Sequence, residues 1–154
     1  MVNIEIREGR AADLPCILSL HAQLESGNGD ILPVGKARTL FGRIKKYPDY
    51  RIYVALIKGE IIGTFALLVM DNLAHLGAPS GIIEDVVVHK NWQGKGIGRQ
   101  MMKFAMDYCR EKGCYKIVLS SNLKREGAHH FYETLGFQKH GHSFLVELKK
   151  DALK

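Results

Sequence analysis

Apolar and polar positions along the chain fall into short segments with two different periods. Ile4 and Ile6 alternate with polar neighbours over 3–7, which predicts a first strand. Leu14, Ile17, Leu18, Leu20, Ala22 and Leu24 then recur at helical spacing. Asp13 stands in front of them as a suitable cap, with Pro15 in the first turn, and Gly27-Asn28-Gly29-Asp30 is the expected stop. A second helix is predicted over 36–46 on Leu40, Phe41 and Ile44, ended by Tyr47-Pro48. Residues 51–57 and 60–70 are rich in β-branched and aromatic residues and flank Lys58-Gly59, the pattern of a hairpin. After a loop over 71–80, the apolar run 82–88 predicts a strand covered on both faces.

Ile97, Met101, Phe104, Ala105 and Tyr108 form the stripe of a long helix over 97–112, stopped by Gly113. A strand over 116–120 follows, then a short helix over 127–135 closed by Gly136. Residues 137–138 and 143–148 read as terminal strands. The predicted order is β-α-α-β-β-β-α-β-α-β-β, an α/β fold on a mixed sheet. With 154 residues, no internal repeat and no linker, one domain over 1–154 is expected.

Composition narrows the class. Apolar residues make up 46% and charged residues 25%, which excludes a mostly disordered chain. No apolar run reaches the roughly 18 residues of a membrane span, and the charged start lacks a signal-peptide core, so no membrane association is expected. Cys16, Cys109 and Cys114 are odd in number and lack Cys-x-x-Cys spacing, which points to reduced thiols and a cytoplasmic protein. The net charge of +6 suits anionic ligands generally. Dense basic blocks and interleaved aromatics are absent, so no nucleic-acid partner is expected. His140 and His142 have no third ligand at metal spacing, and no metal is expected.

The chemistry concentrates in Glu84 to Arg99, where a buried strand enters a glycine-rich turn that opens into a helix. Glycine lets main chain approach an anion closely, and the first helical N–H groups lack internal partners. The helix dipole adds positive potential, so the turn suits a pyrophosphate. It is neither a P-loop nor a dinucleotide fingerprint: no Gly-Lys is followed by Ser or Thr, and Arg99 stands where a third spaced glycine belongs. What remains is Gln-x-x-Gly-x-Gly at 93–98. Further on comes S-S-N-L-K-R-E-G-A-H-H-F-Y-E-T-L-G-F, Ser120 to Phe137.

Together the two stretches resemble the GNAT superfamily of acetyl-coenzyme A-dependent N-acetyltransferases. Gln93 to Gly98 is similar to its pyrophosphate loop, and Ala128 to Phe137 to its A-x-x-F-Y-x-x-x-G-F helix and strand. The resemblance implies a mixed, mostly antiparallel sheet splayed between its fourth and fifth strands, with helices on both faces. It implies that the pantetheine arm pairs with main chain near Val86 and Val88. Main-chain groups of Gln93, Gly94, Lys95, Gly96, Ile97, Gly98 and Arg99 would hold the pyrophosphate, and Asn122 would bond the arm near the thiol. Tyr132 stands where the family has its general acid.

Acyl transfer to an amine needs a neutral amine, a stabilised oxyanion and a proton for the leaving thiolate. An alkylamine with pKa about 10.4 is almost wholly protonated at neutral pH, so a base is useful. Glu84 is the candidate base, and Asp85, expected on the opposite sheet face by alternation, is the second choice. The main-chain N–H of Val86 or Val87 is the candidate oxyanion donor. The expected function is transfer of an acetyl group to a primary amine of a small molecule by direct attack. I-E-D-V-V-V and G-C-Y-K-I are similar to glucosamine-6-phosphate N-acetyltransferases, and S-S-N-L-K-R-E-G-A-H-H-F-Y to aminoalkylphosphonate N-acetyltransferases. That similarity implies an amine bearing a phosphorus anion, for which Lys36, Arg38, Arg43, Lys124 and Arg125 are candidate contacts. The alternatives are an acyl-coenzyme A sensor without turnover and an acetyltransferase of peptide or protein amines. A homodimer is expected, since family members often pair and the terminal strands offer an edge.

Overall fold

A computed structural model describes residues 2–24 and 30–148. The chain divides into two compact units, Met1–Leu119 and Ser120–Lys154. The first unit carries a five-stranded sheet in the order β1-β2-β3-β4-β5, formed by Glu5–Glu8, Tyr50–Ile57, Glu60–Met70, Ser80–Val88 and Lys116–Leu119. Every neighbouring pair is antiparallel except β4 with β5, which is parallel. The parallel pair requires a crossover, and the long helix between these strands supplies it.

Three helices belong to this unit: α1 (Leu14–His21), α2 (Val34–Ile44) and α3 (Ile97–Glu111). Successive residues of a strand point to opposite faces, so β2 shows how the helices are shared out. Val54 is fully buried against Ile17 of α1, whereas its neighbour Tyr53 stacks on Phe65 at 5.2 Å and meets Phe104 of α3 edge-on at 5.1 Å. Helices therefore cover both faces. Ile97, Met101 and Ala105 of the predicted α3 stripe are buried, Phe104 and Tyr108 are half-buried, and Met102, outside the stripe, is buried as well. On the other face Leu14, Leu18, Ala37 and Phe41 join α1 to α2 over Ile52.

Asp13 precedes α1 but does not cap it. Its carboxylate turns back to accept from Arg7 at 2.7 and 3.1 Å and from the Arg10 main-chain N–H at 2.7 Å. A short turn of 3-10 helix over Ala11–Asp13 makes that geometry possible. The expected stop at Gly27-Asn28-Gly29 lies outside the described residues.

The second unit holds α4 (Glu126–Thr134), whose end is closed by the Phe137 N–H donating to the Tyr132 carbonyl at 3.1 Å. The two terminal strands expected at 137–138 and 143–148 do not form. Phe144, Leu145 and Val146 are exposed, at 93%, 85% and 75%. An alternating pattern becomes a strand only where another edge accepts its backbone groups, and among the described residues none pairs with this segment.

Candidate active site

The centre of the site is an irregularity in β4. Thr64 pairs with Val87 and Ala66 with Glu84, so Asp85 and Val86 both stand opposite Phe65. This is a β-bulge: one extra residue on β4 leaves the ladder and twists the strand. Asp85 takes up the turn in the left-handed region, at φ 52°. Such a conformation is uncommon outside glycine, and short polar Asp is among the residues that tolerate it best. The bulge also corrects two expectations. Glu84 and Asp85 are both exposed, so β4 is not covered throughout. Asp85 does not lie on the face opposite Glu84 either. Glu84 shares the face of its partner Ala66, and Ala66 and Asp85 line one cavity together. A bulge breaks the two-residue alternation from which the opposite-face expectation came.

Partial burial, reinforced by the neighbouring charge of Asp85, raises the Glu84 carboxyl above the usual glutamate range. A carboxylate moved in that direction is a stronger base when ionised.

From Glu84, just before the bulge, β4 loses one neighbour. β5 pairs with Ser80–Ile83 and ends at Leu119, while β4 runs on to Val88 with β3 alone beside it. The two parallel strands thus part at Glu84, and among the described residues no strand pairs with the edge from there to Val88 on that side. The Gln93 side-chain amide donates to the Val88 carbonyl at 3.0 Å and ties the strand end to the turn that follows.

That turn is built for main chain to face outward. Gly94 and Gly96 lie at φ 73° and 79°, values that a residue with a Cβ adopts only at a cost. Gly96 is the N-cap of α3, whose ladder begins with the Gln100 N–H donating to the Gly96 carbonyl at 3.2 Å. The amides of Ile97 and Gly98 lie upstream of that bond. No carboxylate sits in the first turn of α3 to compete for them. Buried Ile97 anchors the helix start, and Lys95 folds over the Trp92 ring, 4.7 Å from its centroid. A glycine turn opening a 15-residue helix without a local anion is the geometry that accepts a phosphate group.

Asn122 and Tyr132 lie in the second unit. The Asn122 side-chain oxygen accepts from the Lys124 N–H at 2.9 Å, and its carbonyl meets His129 Nε2 at 2.8 Å. His129 thus braces the loop before α4. Tyr132 packs against Phe131 and Phe137, with ring centroids 5.2 and 5.7 Å away. Burial raises its phenol above the usual tyrosine range, against the opposing effect of Arg125, and keeps the proton on the oxygen at neutral pH.

The sequence gives no sign of one further feature of the first unit. Between the sheet and the α1–α2 pair lies a cavity of about 150 Å³, floored by Ile52 and Ala66 and walled by Leu14, Leu18, Leu40 and Phe41. His21, Tyr50 and Asp85 are its polar groups. They come from the end of α1, the start of β2 and the bulge, and no local pattern links three such positions. Burial lowers the His21 imidazole below the usual histidine range, partly opposed by the charge of Asp85. Burial and the charges of Asp85 and Glu84 raise the Tyr50 phenol.

Residues 22–137 match the model of the acetyltransferase (GNAT) family, and the chain belongs to that family. Its class is therefore that of an acyltransferase. It is 28% identical to the glucosamine 6-phosphate N-acetyltransferase of Trypanosoma brucei brucei over 152 residues, 96% of this chain and 98% of that protein. It is 33% identical to the aminoalkylphosphonate N-acetyltransferase of Salmonella typhimurium over 92 residues, 60% of this chain and 59% of that one. The crystal structure of glucosamine-6-phosphate N-acetyltransferase from Arabidopsis thaliana superposes with a TM-score of 0.81 at 26% identity, covering 96% of this chain and 99% of that chain. No helix among the described residues is long and apolar enough to cross a membrane.

Proposed function

We propose that this chain transfers an acetyl group from acetyl-coenzyme A to a primary amine of a small molecule, by direct attack of the amine on the thioester. The observation that carries this reading is the β4 edge from Glu84 to Val88, which no strand among the described residues pairs on that side, running into the left-handed turn at Gly94 and Gly96. Main chain at Val86 and Val88 suits the amide-bearing arm of the donor, and amides from Gln93 to Arg99 suit its pyrophosphate. The donor supplies an activated acyl thioester. Glu84 takes the ammonium proton, directly or through water, so that the nitrogen can attack. The N–H of Val86 or Val87, at the bulge, faces the carbonyl oxygen as negative charge develops on it. Asn122 holds the donor arm; Tyr132 gives its phenolic proton to the departing sulfur, and the proton that the nitrogen sheds as the amide forms restores the phenol.

We read the two compact units as one N-acetyltransferase domain, a reading supported by the family match, which runs across their boundary. The acceptor class this reading favours is an amine bearing a phosphorus anion. Its support is the printed names of the relatives and the exposed cations Lys36, Arg38 and Arg43 on α2. A cytoplasmic location is supported by the unpaired thiols of Cys16, Cys109 and Cys114. A homodimer is supported by the exposed apolar residues of 144–148, which need a partner edge. The test is release of free thiol from acetyl-coenzyme A with a panel of amines, the products weighed by mass spectrometry. Acetylation of a phosphorylated or phosphonate amine of the panel is expected. Well-folded protein that releases no thiol with any amine would overturn the reading.

A further inference from the structure

We infer that the cavity beneath α1 and α2 receives a compact apolar group carried by the acceptor amine, with the amine itself at the Glu84–Asp85 end. This inference rests on the acetyltransferase reading and narrows its substrate class. The volume, about 150 Å³, matches a six-carbon ring or chain. A cavity of that size lined by Leu, Ile and Phe holds benzene without water. Its walls here, Leu14, Leu18, Leu40 and Phe41, are of the same chemistry.

The polar groups are gathered in a way that orients a ligand. Among the described residues, Asp85 is the only formally charged side chain in the lining, and neither Lys nor Arg contributes. A carboxylate at one end of an apolar chamber attracts an ammonium and repels a phosphate. His21 is held toward its neutral form by burial, so it adds no positive charge at neutral pH. Glu84, the residue before Asp85 on β4, is near enough for its charge, like that of Asp85, to act on Tyr50. A phosphorus anion on the acceptor therefore lies outside the chamber. On α2, Lys36 and Arg43 fall on the same stripe as wall residue Leu40, at spacings of four and three, and are exposed. They meet such an anion at the rim.

Two matched pairs of amines test this: 2-phenylethylamine against ethylamine, and (1-amino-2-phenylethyl)phosphonate against (1-aminoethyl)phosphonate. Each pair differs by one phenyl group, so the ratio of kcat/KM within a pair reads the chamber independently of the anion. The aryl member is expected to be favoured at least about tenfold in both pairs. Leu40→Arg puts a cation into the wall from a position already 39% exposed, so the fold should tolerate it, as circular dichroism would check. It is expected to abolish the aryl preference. Methyl chemical shifts of Leu40 and Ala66 on adding 2-phenylethylamine give a readout that needs no turnover. Acetylation without aryl preference would overturn the inference and leave the acetyltransferase reading intact. Methyl shifts with no acetylation of any amine would uphold the chamber and overturn the acetyltransferase reading. Neither shifts nor acetylation would overturn both.

Discussion

Replacing Gly94 with alanine separates backbone conformation from bulk. A Cβ built at Gly94 meets no atom within 4 Å, so Gly94→Ala introduces no clash. Its φ of 73° remains, and an L-residue in the left-handed region costs roughly 1–2 kcal/mol. That strain must appear somewhere between the unfolded chain and the donor-bound protein. If the turn keeps its shape, folding loses it; if the exposed turn relaxes, donor binding loses it when the shape is restored. The stability loss from urea melts and the affinity loss from calorimetry with acetyl-coenzyme A should therefore sum to roughly 1–2 kcal/mol, a combined factor of about 5–30. Gly42→Ala is the matched control in the same unit. Its Cβ also meets nothing within 4 Å, it lies inside α2, and its φ is not left-handed. It should stabilise the protein by about 0.8–1 kcal/mol and leave donor affinity alone. A Gly94→Ala protein that melts and binds like the parent, or a Gly42→Ala protein that loses affinity, would refute the reasoning.

Tyr132→Phe keeps the packing against Phe131 and Phe137 but removes the proton, so kcat should fall about 100-fold or more while donor affinity holds; unchanged kcat would remove Tyr132 from the reaction. The Glu84 carboxyl is raised above the usual glutamate range, so if Glu84 is the base proposed, kcat/KM should rise with pH through that raised value. Glu84→Gln should abolish this acid limb, and a persisting limb would assign it elsewhere. His21 favours the neutral form when folded, so its contribution to stability is present above the ordinary histidine value, about 6.5, and is lost as pH falls toward the lowered folded value; melts of the parent and His21→Gln between pH 7.5 and 5.5 should diverge on the acid side. At Gly81 a Cβ would overlap Cys109 Sγ, so Gly81→Ala should cost roughly 1–3 kcal/mol. Adding Cys109→Ala should recover part of that loss, and strict additivity of the two changes would contradict the packing.

Much of the framework is legible in local pattern because local physics governs it. The stripe of α3, the hairpin about Lys58-Gly59 and the glycine turn each depend on residues close together in sequence. What escapes is what needs a neighbour from elsewhere. Strand alternation puts Asp85 on the wrong face because the bulge is set by pairing with β3, which no single-strand period records. Asp13 looks like a cap until Arg7 and the Arg10 amide draw its carboxylate away. The segment 143–148 reads as a strand yet forms none, since among the described residues its own unit offers no edge. Glu84, Asn122 and Tyr132 are chosen as site residues through the family resemblance. His21 and Tyr50 belong to no motif, and only the fold brings them to Asp85.

The measurement that bears most directly on donor binding is calorimetry with acetyl-coenzyme A and with S-acetylpantetheine, which has the same thioester and arm but lacks the pyrophosphate. If amides of the Gly94–Gly98 turn hold that group, the truncated donor loses hydrogen bonds to a charged partner, each contributing about 1.5–3 kcal/mol, and should bind at least about tenfold more weakly. Equal affinity for the two donors, or no heat from acetyl-coenzyme A on folded protein, would contradict the account.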